Sequence, residues 1–130
     1  MLKFFTHSPL RQTQHELRRS VELAFTLARA HGKNVVLTPT QSRERGQLSL
    51  RLPKTVRWGK PTHIPLPKEM SGTGWNEAKP RSITVTPQRK ATANVWFLND
   101  GCGALCMKLS LLGEVEMLRY RSLIKRWVRI

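Results

Sequence analysis

Apolar residues recur at spacings of three, four and seven early in the chain: Leu10, Leu17, Val21, Ala24 and Ala28 form one stripe, widened by Phe25 and Leu27. That period belongs to an amphipathic helix with one face on a core. Ser8 followed by Pro9 reads as its start, a hydroxyl able to cap free amides ahead of a ring preset for the first helical position. Gly32 is placed to end it. Arg11, Arg18, Arg29 and Lys33 fall outside the stripe, as a solvated polar face would.

The period then changes. Residues Asn34 to Thr38 (NVVLT) form a β-branched run stopped by Pro39, and Gln47 to Leu52 (QLSLRL) alternate Leu48, Leu50 and Leu52 against Ser49 and Arg51. With the polar SRERG between them, the expectation is a helix feeding a two-stranded antiparallel hairpin. From Lys54 to Arg81 no period survives, because Pro61, Pro65, Pro67, Pro80, Gly59, Gly72 and Gly74 interrupt it. This reads as a long loop holding Trp58 and Trp75 among Lys54, Arg57, Lys60, Lys68, Lys79 and Arg81. Tryptophans in such a loop point to an ordered contact, on a partner or on the protein's own sheet.

Alternation resumes in SITVT, where Ile83 and Val85 are the apolar positions, and after Pro87, Arg89 and Lys90 the run ATANVWFL reads as another strand. Asn99, Asp100 and Gly101 are turn residues that tolerate positive φ, so strands Ala93 to Leu98 and Ala104 to Leu109 should make a hairpin. The tail leaves two readings open. Met117, Tyr120, Ile124 and Val128 have helical spacing with Arg121, Lys125 and Arg129 on another face; a strand over Glu114 to Tyr120 followed by a basic helix fits nearly as well. The expected fold class is α+β: an N-terminal helix plus β-hairpin unit over 1–53, a basic Pro/Gly-rich loop over 54–81, and a small antiparallel β-sheet over 82–130 with a basic terminal helix or strand.

Composition sharpens the picture mainly through charge. The chain has 130 residues, a one-domain length that allows a modest core without metal or disulfide staples. Against 8 Asp plus Glu stand 23 Lys plus Arg, giving a formal net charge of +15. Self-repulsion of that size opposes compaction, and a polyanion whose counterions are released is the simplest compensation. Positive charge is spread over helix, loop and strands. Dispersed cations suit a large folded phosphate-rich surface such as structured RNA better than one DNA groove. Arginine outnumbers lysine 14 to 9, which favours bidentate phosphate binding and stacking on bases.

Other chemistries find little. The most apolar stretch, Val21 to Ala30, contains Glu22 and Arg29 and is far short of the ~20 residues that span a bilayer. Cys102 and Cys106 cannot build a disulfide framework; on one strand they would stand about 13 Å apart. Their spacing to His7, His15, His31 and His63 is not that of a zinc site, and Cys106 in an apolar strand reads as an inert buried thiol. No paired carboxylates and no glycine-rich phosphate cradle occur, so no enzyme activity, cofactor or small-molecule substrate is expected.

The carboxy-terminal half resembles the universal small-subunit ribosomal protein eight family. That family has an apolar strand, a Ser-Thr-Ser turn, one residue, a glycine, a second apolar strand, and later Gly-Gly-Glu before a closing strand. Here VWFLNDGCGAL stands at that spacing, with Asn99, Asp100 and Gly101 in the hydroxyl positions, Gly103 at the glycine, and Gly113 and Glu114 of LGEVEML in the Gly-Gly-Glu segment. KPRSITV at Lys79 to Val85 is similar to the family's Pro-Gly-x-Arg strand, and LARAHGKNVV and RGQLSLRL are similar to its second helix and following hairpin. None of the three hydroxyl residues is kept. The resemblance implies a structural protein whose turn at Asn99, Gly101 and Gly103 contacts ribosomal RNA beside neighbouring ribosomal proteins. Further RNA contacts are expected from Arg57, Lys60, Trp75, Lys79 and Arg81 in the loop, from Arg89 and Lys90, and from Arg121, Lys125 and Arg129 in the tail. The opening MLKFFTHSPLRQTQHELRR, with no acid before Glu16, has the balance of an organelle transit segment and points to the mitochondrial matrix. The competing expectation is a basic, non-catalytic accessory subunit of another mitochondrial complex, meeting anionic lipid or acidic proteins.

Overall fold

Helix α1 runs from Pro9 to His31. Its end is closed by Gly32 at φ +63°, which lets the amide of Lys33 donate back to the carbonyl of Ala28 at 3.3 Å. The computed structural model describes residues 9–39, 47–67 and 80–130; Ser8 and the SRERG segment lie outside them. The buried positions of α1 are Leu10, Thr13, Leu17, Ser20, Val21, Ala24, Phe25 and Ala28, the anticipated stripe with two polar members added. Each polar member is satisfied within the helix: the Thr13 hydroxyl donates to the Pro9 carbonyl at 2.8 Å and the Ser20 hydroxyl to Glu16 Oε1 at 3.3 Å.

Strands β1 (Val35–Thr38), β2 (Gln47–Ser49), β3 (Arg57–Trp58), β4 (Ile83–Val85), β5 (Asn94–Asn99), β6 (Ala104–Leu109), β7 (Val115–Arg121) and β8 (Arg126–Arg129) form two sheets. The smaller has the order β2-β1-β4 and the larger β3-β5-β6-β7-β8. The α+β class read from the pattern is therefore the observed one.

The expected hairpin after α1 is not formed. β1 and β2 pair in parallel, Val36 opposite Gln47 and Thr38 opposite Ser49, and β1 takes its antiparallel neighbour from much later in the chain, with Leu37 opposite Ile83 of β4. The reason is the role of β1 as a central strand. Val35, Leu37 and Thr38 are all buried, a near-continuous apolar run in place of the alternation of a half-exposed hairpin arm. The eight residues between β1 and β2 are long enough to carry the chain back to the start of β1.

The larger sheet is an antiparallel meander from β5 to β8, and the β5–β6 hairpin forms around the NDG turn as expected. Cross-strand partners share a face. Trp96, Leu98, Leu105, Met107 and Met117 point toward α1 and join Leu17, Val21, Leu37 and Ile83 in one core that includes both sheets. Phe97, Cys106 and Leu118 face the other way into a smaller cluster with Leu66, Val95 and Trp127. Each fully buried aliphatic or aromatic side chain contributes about 1.5–3 kcal/mol by removal from water.

Two alternatives left open by the sequence are decided here. The strand reading of the tail over Glu114 to Tyr120 holds as β7, which pairs with β6 along its length, but the basic helix expected after it is instead β8, which folds back on β7 with Tyr120 opposite Trp127. Within the Pro/Gly stretch, Trp58 sits on β3 opposite Leu98, and its ring meets Trp96 edge-on with centroids 5.3 Å apart. Trp58 thus covers the protein's own sheet, and replacing it with Ala should lower the thermal midpoint by roughly 10 °C, since truncating a packed aromatic costs about 3 kcal/mol or more. An unchanged melt would return Trp58 to the surface.

Candidate nucleic-acid interface

In a meander, alternate turns lie at the same end of the sheet, so the β5–β6 turn and the β7–β8 turn are neighbours. Arg57 joins them, because it opposes Asn99 at the last residue of β5. Six of the residues singled out by sequence are therefore gathered at one end: Arg57, Asn99, Gly101, Gly103, Arg121 and Lys125. Arg57, Arg121, Lys125 and Arg126 are all exposed there. Between the two turns and the first turn of α1 lies a groove of about 280 Å³, to which Leu10, Asp100, Arg119, Arg121 and Leu123 contribute.

The carboxylate set among these cations is engaged by its own loop. Asp100 Oδ1 accepts the amides of Cys102 at 3.0 Å and Gly103 at 2.7 Å, a side-chain turn that fixes the backbone after Gly101, itself at φ +91°.

Asn99 also acts inside the fold. Its Nδ2 donates to the Gly59 carbonyl at 2.8 Å and its Oδ1 accepts the Gly101 amide at 3.0 Å, so the side chain ties the turn to the strand beside it. Asn99→Ala should cost about 1–2 kcal/mol of stability through these lost bonds and leave the RNA affinity of the folded fraction unchanged. A denaturation curve combined with an RNA titration checks both; an affinity loss without destabilisation would give the side chain to the RNA. At Gly103 a Cβ would stand 3.2 Å from Leu10 Cδ1, so the closeness that keeps this position small belongs to α1.

The remaining residues scatter. The Lys60 ammonium donates to the carbonyls of Pro61 and Ile64 and stabilises that turn. Arg81 is exposed, while its carbonyl receives Trp96 Nε1 at 2.8 Å and Asn94 Nδ2 at 3.1 Å near the start of β5. Arg89 and Lys90 occupy the β4–β5 turn at the opposite end of the sheet. There the Arg89 guanidinium lies 4.5 Å from the Phe25 ring centroid and 2.9 Å from Glu22. Arg129 is 3.3 Å from Glu116. Trp75 and Lys79 lie outside the described residues. Among the described residues no cluster of His, Cys, Asp and Glu could hold a metal ion, and Cys102 and Cys106 are free thiols, the first exposed and the second buried.

Sequence reasoning missed Arg119, Arg126 and the apolar pair Leu123 and Ile124, which the β7–β8 turn carries to the same end. A usable signal was Tyr120 and Trp127, an aromatic pair able to face each other across a hairpin. No family model, curated protein or solved structure matches the chain.

Lys125 takes φ +51°, a conformation that is strained for a side-chain-bearing residue other than Asn or Asp. Lys125→Asn should raise stability by about 0.5–1 kcal/mol and at the same time weaken polyanion binding by one phosphate contact. Urea midpoints at constant m value would detect the gain; a midpoint that falls would mean that the lysine makes a stabilising contact.

Proposed function

We propose that this is a non-catalytic RNA-binding protein, a structural component of a ribonucleoprotein, and more narrowly an rRNA-binding protein of the small subunit of a mitochondrial ribosome. The observation that carries the reading is the cationic end of the larger sheet. Arg121, Lys125 and Arg126 stand exposed on the paired strands β7 and β8 and their turn, and Arg57 stands exposed on edge strand β3 at the same end of the sheet, in a chain of net charge +15. Arg121 and Arg126 oppose each other across β7 and β8, with Cβ atoms about 5 Å apart, so their two guanidinium groups can take phosphate oxygens together. The narrower assignment is supported by the resemblance of the VWFLNDGCGAL hairpin and its LGEVEML follow-on to the small-subunit ribosomal protein eight family, and by the transit-like opening.

Sedimentation of the tagged protein with mitochondrial small-subunit rRNA tests the reading. The expected result is co-sedimentation that ribonuclease abolishes. Co-sedimentation that survives ribonuclease would instead assign the positive surface to acidic proteins or anionic lipid.

A further inference from the structure

The β7–β8 turn presents an unusual surface. Leu123 is 99% exposed and Ile124 56% exposed, side by side at the tip of a hairpin. From Met117 to Ile130 the chain has Arg119, Arg121, Lys125, Arg126 and Arg129 and no Asp or Glu. Two aliphatic side chains in water gain nothing for the isolated fold.

The tip is mounted on a rigid stem. One residue pair behind it Tyr120 opposes Trp127, their ring centroids 5.6 Å apart and edge-on, and Trp127 packs in turn against Phe97 at 6.0 Å. The Trp127 indole donates to the Pro65 carbonyl at 2.8 Å, which fixes the hairpin to the body of the protein. Arg121 and Arg126 form the last pair before the turn, and the amide of Ile124 donates to the Arg121 carbonyl at 3.3 Å. The apolar residues are thus held forward of a ring of cations.

We infer that Leu123 and Ile124 form a wedge that enters an unstacked step of structured RNA, while Arg121, Lys125 and Arg126 bind the phosphates on either side. The inference rests on the RNA-binding reading and specifies what RNA that site would choose. Apolar side chains gain when they leave water for the faces of bases, and leucine and isoleucine are among the side chains that proteins insert between base steps of a duplex. A continuous A-form helix offers no such opening, since its deep groove is closed to side chains and its shallow groove displays hydroxyls. The groove beside Leu123 supplies space for the base displaced from the stack, with Arg119 and Arg121 on its wall. RNA is favoured over a bilayer because the apolar tip is only two residues wide and is stiffly mounted, which matches a single base step better than a broad fluid surface.

The test compares two RNA hairpins of equal length and charge, one with an uninterrupted stem and one with a small bulge flanked by a fluorescent adenine analogue. Wild-type protein is expected to bind the bulged RNA on the order of a hundredfold tighter, the scale set by burying two aliphatic side chains, and to brighten the analogue by unstacking it. Leu123→Ser/Ile124→Ser should bind both RNAs equally, with no brightening, while keeping the salt slope of the wild type. Since both side chains are exposed, the thermal melt of the variant should not move. Equal binding of the two RNAs by wild type, or a preference that survives in the variant, overturns the wedge and leaves RNA binding standing. No binding to either RNA at low salt overturns the RNA-binding reading itself. Vesicles of anionic phospholipid form the last arm: wild-type binding that the double variant loses, without any RNA preference, would assign the tip to a lipid surface and end the proposal.

Discussion

Raising monovalent salt from about 50 to 200 mM is expected to weaken binding to structured RNA on the order of a thousandfold, because a protein that neutralises six or more phosphates releases as many counterions. The location of the effect is as informative as its size. Arg121→Gln/Lys125→Gln/Arg126→Gln removes three exposed cations from the β7–β8 turn and should lower the salt slope by about 3. The matched variant Arg29→Gln/Arg89→Gln/Lys90→Gln removes equal charge from the opposite end, where Arg89 already pairs with Glu22, and should change the slope by less than one contact. Equal losses from both triples would mean that net charge alone acts, with no defined face. A flat titration would remove phosphate contacts from the account altogether.

Much of the architecture is written locally. The α1 stripe, its proline start and its glycine end are all short-range signals, and the NDG turn fixes the β5–β6 hairpin by the same means. What escaped depends on contacts distant in sequence. NVVLT looks like a hairpin arm until β4, almost fifty residues later, takes the antiparallel place beside it. Trp58 looks like a loop tryptophan until Trp96 is brought beneath it. The β7–β8 turn escaped for another reason. Ser122, Leu123, Ile124 and Lys125 include no glycine, proline, asparagine or aspartate, and Lys125 adopts the left-handed conformation without the residue type that announces it.

The candidate site was legible as a set of cations and illegible as a place. Composition identified Arg57, Arg121 and Lys125, but only the meander brings them to one end with the β5–β6 turn. The same positive charges at Arg89 and Arg129 are held by Glu22 and Glu116, a distinction that no linear count reveals. Asn99, read as an RNA contact through the family resemblance, also has a role within the fold that the sequence did not announce, binding Gly59 and Gly101.

Gly113→Val should destabilise the protein more than valine at Gly101, the glycine of the β5–β6 turn. Gly113 lies in the β6–β7 turn at φ +77°, where its amide donates to the Ser110 carbonyl at 3.0 Å. A Cβ there would stand 2.7 Å from the Arg89 carbonyl oxygen and 2.8 Å from Phe25 Cζ. Neither neighbour yields easily. The carbonyl belongs to the tight β4–β5 turn, in which the Arg89 amide donates to Thr86 at 3.1 Å and the Thr86 amide to Lys90 at 2.8 Å, and Phe25 is packed into the α1 core. Left-handed backbone costs a β-branched residue about 1–2 kcal/mol, and overpacking against fixed atoms adds about 1–3 kcal/mol. A total near 3 kcal/mol corresponds to a fall of roughly 10 °C in the thermal midpoint of a chain this size. Gly101→Val is the control, since it keeps the strained φ of +91° but meets nothing within 4 Å, so only the conformational part remains, about 1–2 kcal/mol. Equal losses at the two glycines would show that the Arg89 turn moves freely, and that the junction of α1, the β4–β5 turn and the β6–β7 turn is not the rigid support that holds the opposite, cationic end of the sheet in register.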